Sequence, residues 1–258
     1  MKNTVLTDAA AKNQMLAAPV PQETRTYKPV SHKELMDLTL ESIYQSGFAL
    51  KKEYYSVARE GNVATAHYTI SNVADNEMNL QVVWQNSYDK SLSLKFALGT
   101  SIIVCSNGMV TGDYGSFKKK HMGEIQSFTP TAITDYIKDG GTVFRQIQEQ
   151  RDTLKEVEIS EQAQAELLGR LFIEQDLITS TQLNIVKREL KNPTYNYGAD
   201  GSMWELYNHL TFAMKRSHPS DWLNDHINLH EFFMDQAVAK VSPNQPYNDF
   251  VNQLNLFI

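Results

Sequence analysis

The alternation of apolar and polar residues between about residues 49 and 110 constrains the fold more than any other feature of this sequence. Every second residue is apolar in three runs, which cover residues 64–70, 78–85 and 92–98. A period of two residues gives a strand one buried and one wetter face, as is typical of an antiparallel sheet. The breaks beside these runs are short, at 60–62, 75–76 and 89–90. We therefore predict strands that pair in sequence order as a meander.

Helical patterns lie on both sides of this region. Ser31 and Glu34 form a capping box, which predicts the start of a helix that ends near Gly47. After Thr129 and Pro130 the apolar residues recur every three or four positions, which predicts a long helix bent at residues 140–141. Further helices are predicted at about 160–174, 180–191, 202–216 and 221–240.

The predicted fold class is therefore α+β, with an N-terminal helix, an antiparallel meander sheet of four or five strands and a mainly helical C-terminal half. Residues 1–30 are predicted to form an extended N-terminal arm, because Pro19 and Pro21 disfavour helix. Residues 31–128 are expected to hold the helix and the sheet, and residues 129–258 a helical region packed on the sheet.

The composition excludes several classes of protein. Of 258 residues, 41% are apolar and 21% are charged, and mean hydropathy is −0.41. No apolar run approaches the ~20 residues that cross a bilayer, and the first residues lack the apolar core of a secretory signal, so we expect a cytoplasmic protein without a membrane partner. The net charge of −6 excludes a histone-like polycation, but it is compatible with a local basic patch.

Catalytic signatures are scarce in the sequence. It contains no phosphate-binding loop, no glycine-rich dinucleotide motif and no nucleophile elbow. The single cysteine, Cys105, ends the stretch 101–105, which lacks the alternation and predicts a strand buried on both faces. It precedes a predicted tight turn at Asn107 and Gly108. His121 is the nearest basic partner for a catalytic thiol, although a lone cysteine more often fills space in a core. We expect no cofactor and regard enzymatic activity as the less favoured hypothesis.

A cluster of histidines and carboxylates near the C-terminus is the best candidate for a metal site. It comprises His218, His226 and His230 with Asp221, Asp225 and Glu231. Residues 226 and 230 share a helical face, but the glutamate of the zinc-protease signature is missing between them. Polar histidines on a helix surface are the commoner explanation, so the metal-dependent hydrolase is the weakest of the functional hypotheses.

A lysine-rich stretch is the best candidate for contact with nucleic acid. Lys118, Lys119 and Lys120 lie beside the aromatic residues Tyr114 and Phe117. Charge that meets phosphates and rings that stack on bases are the two elements that hold single strands. Residues 51–52 and 187–188 form smaller basic pairs. A solvated loop without a ligand is the alternative explanation.

Three short motifs follow one another along the chain. They are Asn86, Ser87 and Asp89 in a turn, Cys105, Asn107 and Gly108 after a strand, and Trp204, Tyr207, Asn208 and Thr211 on one helix face. Together they resemble motifs of the domain of unknown function 932 family, found in phage- and plasmid-related proteins. Lys90 stands where the family's turn has a glycine. The last four residues also fit a buried polar set with a structural role, which such a set serves more often than catalysis.

The resemblance implies an accessory protein of a mobile element that works in the bacterial cytoplasm, and it implies no catalytic residue. The leading hypothesis is a non-enzymatic protein that handles single-stranded DNA or RNA, by binding or annealing, and acts as a homo-oligomer. The alternative is a counter-defence or virion protein that binds a host or phage protein.

Overall fold

The computed structural model describes residues 6–71, 75–103, 107–110, 116–218 and 220–241. In these residues the fold is α+β, as predicted: a helical N-terminal part, an antiparallel sheet and a mostly helical C-terminal half. The strands are β1 Leu6–Thr7, β2 Ala49–Ala58, β3 Val63–Ser71, β4 Met78–Ser87, β5 Leu94–Ile102, β6 Gly108–Val110 and β7 Ser116–Lys119. The helices are α1 Asp8–Ala17, α2 His32–Gln45, α3 Ile125–Lys138, α4 Gly140–Glu156, α5 Glu161–Gly169, α6 Ser180–Glu189, α7 Met203–Met214 and α8 Trp222–Val241. A π-helical turn, Arg170–Glu174, continues α5.

The seven described strands form one antiparallel sheet in the order β1-β2-β3-β4-β5-β6, with β7 also paired to β5. The central strands follow one another along the chain, which confirms the predicted meander. The sheet has more strands than the four or five predicted. The additional strands β1, β6 and β7 have two to four residues each, too few for an alternating pattern to stand out in the sequence.

One face of the sheet is covered by helices and carries the main core. Trp84 of β4 lies between Ala66 of β3 and Phe96 of β5 in the register, and all three are at most 1% exposed. Ile43 of α2 and Phe144 of α4 belong to the same buried cluster. Burial of each large side chain of this kind contributes about 2–3 kcal/mol, so this layer accounts for most of the hydrophobic stabilisation of the sheet.

The opposite face of the sheet, which we call the open face, is covered only in part. Leu223 of α8 packs there on Val83, Ala97 and Val110 and forms a second, small apolar cluster. Towards β2 and β3 the open face carries mainly polar side chains, which are the polar members of the alternating runs in the sequence. No helix of the described residues is long and apolar enough to span a membrane.

The prediction of an extended arm is wrong for residues 8–17, which form α1. Ala11 and Met15 of this helix are at most 1% exposed and belong to the main core. The prolines that suggested an extended arm, Pro19 and Pro21, both lie after the end of α1 and so do not interrupt it.

The predicted start of the long helix and its bend also differ from the structure. Helix α3 begins at Ile125, so Pro130 lies inside it, and the Thr129 hydroxyl donates to the Ile125 carbonyl at 2.6 Å instead of capping the helix. The chain ends α3 at Lys138 and starts α4 at Gly140, so two helices replace one bent helix. A Cβ atom at Gly140 would lie 3.0 Å from Cδ2 of Leu80, so glycine there permits close packing of α4 on the sheet.

The end of β5 corrects two further predictions. The described part of the stretch 101–105 does not form a separate buried strand, because β5 runs to Ile102 and Ile103 is 44% exposed. Val104, Cys105 and Ser106 lie outside the described residues. Neither Asn107 nor Gly108 has a positive φ, and Gly108 begins β6, so the predicted tight turn does not form at these two residues.

Candidate functional site

A groove of about 650 Å³ lies on the open face of the sheet, where α8 does not cover it. Its floor consists of side chains from β2, β3, β4, the end of β5 and the start of β6, and its wall consists of residues 215–218 with Trp222. The lining residues are Lys52, Tyr54, Ser56, Thr65, His67, Thr69, Gln81, Ser101, Gly108, Lys215, Arg216, Ser217, His218 and Trp222. This volume suits a small organic ligand or one unit of a polymer.

The strand register explains why the floor is polar. Lys52 pairs with Thr69, which pairs with Gln81, so these three side chains lie in one row across β2, β3 and β4. Tyr54 and His67 form the next row. The Gln81 side chain is 8% exposed, and it forms a hydrogen bond with the side chain of His67 in the next row.

Positive charge is concentrated at the rim of the groove. Lys52, Lys215 and Arg216 are exposed there, and the residues that line the groove in the described structure include no aspartate or glutamate. Lys215 Nζ lies 4.9 Å from the ring centroid of Phe212. Lys52 and Arg216 form no ion pair with another described residue. The groove is therefore electropositive, although the chain as a whole has a net charge of −6.

Trp222 forms the aromatic wall of the groove and contacts two histidines. The ring centroid of His67 lies 4.5 Å from that of Trp222, at an interplanar angle of 80°, and the ring centroid of His226 lies 4.1 Å away, at an angle of 35°. A Cβ atom at Gly108 would lie 2.9 Å from Cζ2 of Trp222. Glycine at this position therefore allows β6 to approach the indole ring closely.

Both histidines beside Trp222 are neutral at pH 7. Burial lowers the pKa of His67 to about 4 and the pKa of His226 to about 3. His226 Nδ1 lies 3.1 Å from the Gly108 carbonyl oxygen, which can only accept, so the ring proton is on Nδ1. The charge at this site therefore comes from Lys52, Lys215 and Arg216, whereas the two histidines beside Trp222 are neutral.

The structure does not bring the three histidines of the candidate metal site together. His226 Nδ1 donates to Gly108, His230 Nε2 lies 3.1 Å from Oε1 of Gln150, and His218 Nδ1 lies 2.7 Å from Oγ of Ser220. No three histidine, cysteine, aspartate or glutamate side chains among the described residues are grouped so as to hold a metal ion. The metal-dependent hydrolase has no support from this arrangement.

The lysine-rich stretch is divided between the two faces of the sheet. Lys118 of β7 is exposed on the open face opposite Lys95. Phe117 lies on the covered face, stacked on Phe96 at 5.4 Å, and Lys119 Nζ lies 3.7 Å from the ring centroid of Phe128. Phe117 is therefore engaged in the core and is not presented to a base. Lys120 is exposed after the strand, and Tyr114 lies outside the described residues.

Asn86, the first family-motif residue, is the centre of a buried polar network. Its Nδ2 atom donates to the Val30 carbonyl at 2.7 Å and to His32 Nδ1 at 3.0 Å, and its Oδ1 atom accepts from His121 Nε2 at 2.6 Å. Burial lowers the pKa of His32 to about 3, so this histidine is neutral. The network fastens the segment before α2 to the sheet, which is a structural role. His121, which the sequence offered as the basic partner of a catalytic thiol, is a member of this network. The thiol residue itself, Cys105, lies outside the described residues.

Ser87 and Asp89, from the same motif, shape the turn after β4. The Ser87 hydroxyl donates to the Leu92 carbonyl at 3.1 Å, and one Asp89 oxygen accepts from the Ser91 amide at 3.0 Å. Lys90 has a φ of +64°, in the left-handed region that favours glycine. The geometry of the turn thus favours glycine at this position over the lysine that occupies it.

The second and third family motifs meet in space. The side-chain amide of Asn107 donates to the backbone carbonyl of Asn208 at 2.9 Å, and Asn208 Nδ2 donates to the Trp204 carbonyl at 2.9 Å. The Thr211 hydroxyl also donates to the Asn208 carbonyl, and the rings of Trp204 and Tyr207 stack at 5.9 Å. Apart from Gly108, the described motif residues form the scaffold behind the groove and do not line it.

Sequence reasoning missed most of the groove, because its residues are far apart along the chain. Lys52, Gln81, Arg216 and Trp222 come from four separate elements. The polar positions of the alternating runs were the available signal, since they indicated one wetter face of the sheet. Helix α8 itself was predicted, but its position on the sheet, which leaves part of this face uncovered, had no signal in a local pattern.

Comparison with known proteins gives a family and no function. Neither the curated proteins nor the solved structures include a match to the chain. Residues 22–241 match the family described as domain of unknown function DUF932, in agreement with the resemblance of the three motifs. Because this match covers most of the 258 residues, the chain belongs to the DUF932 family.

Proposed function

We propose that this protein binds single-stranded nucleic acid along the open face of its sheet, with the groove as the centre of the interface. The observation that carries the proposal is the combination, in one groove, of a cationic rim with an aromatic wall. Lys52 and Arg216 supply the charge, and Trp222 and Tyr54 supply the rings. The proposal keeps the nucleic-acid function expected from the sequence but moves its site away from the lysine-rich stretch.

The physical argument rests on how single strands are recognised. Phosphates are attracted to lysine and arginine, and unpaired bases stack on aromatic side chains regardless of sequence. Trp222 and Tyr54 are both half-buried and line the groove, which fixes their orientation at little cost in side-chain entropy. Lys118 extends the positive charge of the open face towards β7. Lys52 and Lys118 are four inter-strand spacings apart and lie in rows four residues apart along the strands. Their separation is therefore about 23 Å, which matches several nucleotides rather than one.

The biological setting belongs to the same proposal. The family resemblance supports an accessory protein of a phage or plasmid that acts in the bacterial cytoplasm as a homo-oligomer. Light scattering with and without a single strand tests the oligomeric state: a mass of one chain in both conditions would contradict it.

Fluorescence anisotropy with a labelled oligothymidylate tests the proposed function. The double variant Lys52→Ala/Arg216→Ala removes the two rim cations that form no ion pair within the described part of the chain. We expect much weaker binding, and the slope of log affinity against log salt should fall by about 0.7 for each phosphate that the variant no longer neutralises. Lys187→Ala/Arg188→Ala is the matched control, because both residues are exposed on α6 and the variant removes the same charge.

Two results would overturn the proposal. One is equal affinity of the rim variant and the control variant for the strand. The other is full loss of binding in Lys118→Ala/Lys119→Ala/Lys120→Ala together with unchanged binding in the rim variant. That result would place the site at the lysine-rich stretch. Absence of strand binding by the unmodified protein, together with co-purification of one protein partner, would favour the protein-binding alternative.

A further inference from the structure

A row of side chains on the open face continues from the groove towards β7. Ser56 and Thr65 of this row line the groove. The register continues the row from Thr65 through Gln85 and Lys95 to Lys118. Neighbouring strands are about 4.8 Å apart, so Lys118 lies about 14 Å from Thr65 along the row. A polyanion that leaves the groove in this direction therefore meets two lysines side by side.

Two carboxylates oppose the charge of these lysines. Asp221 directly precedes α8 and Asp225 lies in its first turn, where the Asp225 amide donates to the Asp221 carbonyl at 2.9 Å. Residues four apart on a helix share a face, and we call these two residues the acidic pair. Burial and the charge of Lys118 lower the pKa of Lys95, whereas both carboxylates act in the opposite direction. The acidic pair therefore interacts electrostatically with the buried lysine of the row.

The burial of Lys95 makes these interactions strong. Its side chain is 5% exposed, whereas Lys118 is exposed. A charge that is removed from water interacts more strongly with its neighbours than an exposed charge does. Two positive and two negative charges therefore balance at this end of the row, whereas the described residues that line the groove include three cations and no carboxylate.

The start of α8 holds the acidic pair over the sheet. Leu223, which lies between the two residues in the sequence, is 1% exposed and packs on Ala97. Ala97 is two residues along β5 from Lys95, so this apolar contact lies in the row beside that of the lysine. The Ser217 hydroxyl also donates to the Asp225 carboxylate. The acidic pair thus has a fixed position on the open face.

We infer that the acidic pair inhibits the protein's own binding of single strands by offsetting the charge of Lys95 and Lys118 that phosphates would otherwise meet. This inference deepens the proposed function and rests on it. A strand that follows the row from the groove to Lys118 has to pass the two carboxylates, and like charges repel. The acidic pair therefore confines tight binding to the groove.

Removing the two negative charges tests the inference. Asp221→Asn/Asp225→Asn keeps the size of both side chains, and anisotropy measures binding of a labelled oligothymidylate of about 16 nucleotides. We expect this variant to bind about tenfold more tightly than the unmodified protein. The slope of log affinity against log salt should become steeper by about 0.7 for each additional phosphate that is neutralised.

A second acidic pair provides the matched control. Glu149→Gln/Glu156→Gln removes the same charge from the exposed side of α4, which packs on the other face of the sheet. Salt screens exposed charges that are more than about 10 Å apart, so this variant should change the affinity by less than about twofold. Equal affinity of the two variants for the strand would overturn the inference.

Lys118 shows whether the gain arises at this end of the row. Lys118→Ala should weaken strand binding by a larger factor in the Asp221→Asn/Asp225→Asn background than in the unmodified protein, because only in that background is its charge not offset. The same factor in both backgrounds would overturn the inference. If the double variant does not fold, Asp221→Asn alone, at an exposed position, decides the same comparisons.

These titrations also separate the inference from the proposed function. Strand binding by the unmodified protein, without a gain in the acidic-pair variant, overturns the inference and leaves the proposed function standing. Strand binding by the variant alone supports the inhibition and contradicts the proposed function of the unmodified protein. Absence of strand binding by both proteins overturns both.

Discussion

The side-chain amide of Asn107 donates a 2.9 Å hydrogen bond to the backbone carbonyl of Asn208, across 101 residues of sequence. This bond joins the residue before β6 to the middle of α7, and both residues are fully buried. Gly108 follows immediately and contacts Trp222 on the wall of the groove. The family motifs therefore fix the position of β6, and β6 in turn fixes the groove.

The first prediction concerns this bond. Asn107→Ala removes a buried hydrogen bond, so we expect the free energy of unfolding to fall by about 1–3 kcal/mol. Asn192→Ala is the control, because Asn192 is exposed after α6 and should change stability by less than ~0.5 kcal/mol. Urea unfolding followed by circular dichroism measures both variants. Equal stability of the two variants would contradict a structural role for Asn107.

The second prediction concerns the glycine at the groove wall. Gly108→Ala forces Trp222 away from β6, because a Cβ atom would lie 2.9 Å from the indole. We expect a shifted tryptophan emission maximum and a loss of stability of about 1–3 kcal/mol. Gly141→Ala is the opposite case: no atom lies within 4 Å of its Cβ position, and alanine should stabilise α4 by up to ~1 kcal/mol. An unshifted emission spectrum in Gly108→Ala would refute the predicted contact.

The third prediction concerns the left-handed residue of the turn after β4. Lys90 has a φ of +64°, and its Nζ atom lies 4.7 Å from the ring centroid of Tyr27. Lys90→Gly and Lys90→Ala both remove the contact with Tyr27, but only glycine relieves the backbone strain. We therefore expect the glycine variant to be more stable than the alanine variant by about 1 kcal/mol.

A helical position provides the control for this comparison. At Glu149, exposed within α4, glycine should instead be less stable than alanine by about 1 kcal/mol. Thermal unfolding of the four variants gives both differences. If the Lys90→Gly variant were also less stable than the Lys90→Ala variant, that result would contradict the left-handed geometry of the turn.

The fourth prediction is a loss of stability in mild acid. Burial lowers the pKa of His32 and His226 to about 3, and of His67 and His230 to about 4, from the ordinary value of 6.5. Between pH 6.5 and 4 the unfolded chain binds protons that the folded chain does not. The stabilisation from these neutral histidines is thus complete above pH 6.5 and decreases as the pH falls, by roughly 1.4 kcal/mol per pH unit for each histidine.

Urea unfolding at about pH 7 and about pH 5 measures this dependence. His230→Gln removes one of the four groups. It should reduce the slope of the free energy of unfolding against pH by about the contribution of one histidine. A free energy of unfolding that does not change over this range would contradict the burial of the four rings.

The fold was predictable where the local sequence pattern agrees with the element that forms in the folded protein. The runs at 64–70 and 78–85 became β3 and β4, and the cap at Ser31 starts α2 with its hydroxyl accepting from the Glu34 amide. Helix α1 was missed because Ala11 and Met15 are buried by contacts with the sheet, not by a strong periodicity of their own. The start of α3 was missed because Thr129 and Pro130 fit a cap signal that the longer helix overrides.

The candidate site was less predictable than the fold. The run of lysines was the obvious basic feature of the sequence, yet a strand directs consecutive side chains to opposite faces, so Lys118 and Lys119 lie apart. The cations of the groove, Lys52 and Arg216, come together only because α7 ends beside the β2 side of the sheet. Such proximity depends on packing between helices and sheet, which one-dimensional spacing does not encode.

Photo-cross-linking of a bound single strand, followed by mass spectrometry of the peptides, tests the central claim most directly. An open-face interface predicts adducts on the peptides that contain Tyr54 and Trp222, and it predicts none on Phe117, whose ring is stacked in the core. Adducts confined to the peptide of Phe117 and Lys119, with none at the groove, would contradict it.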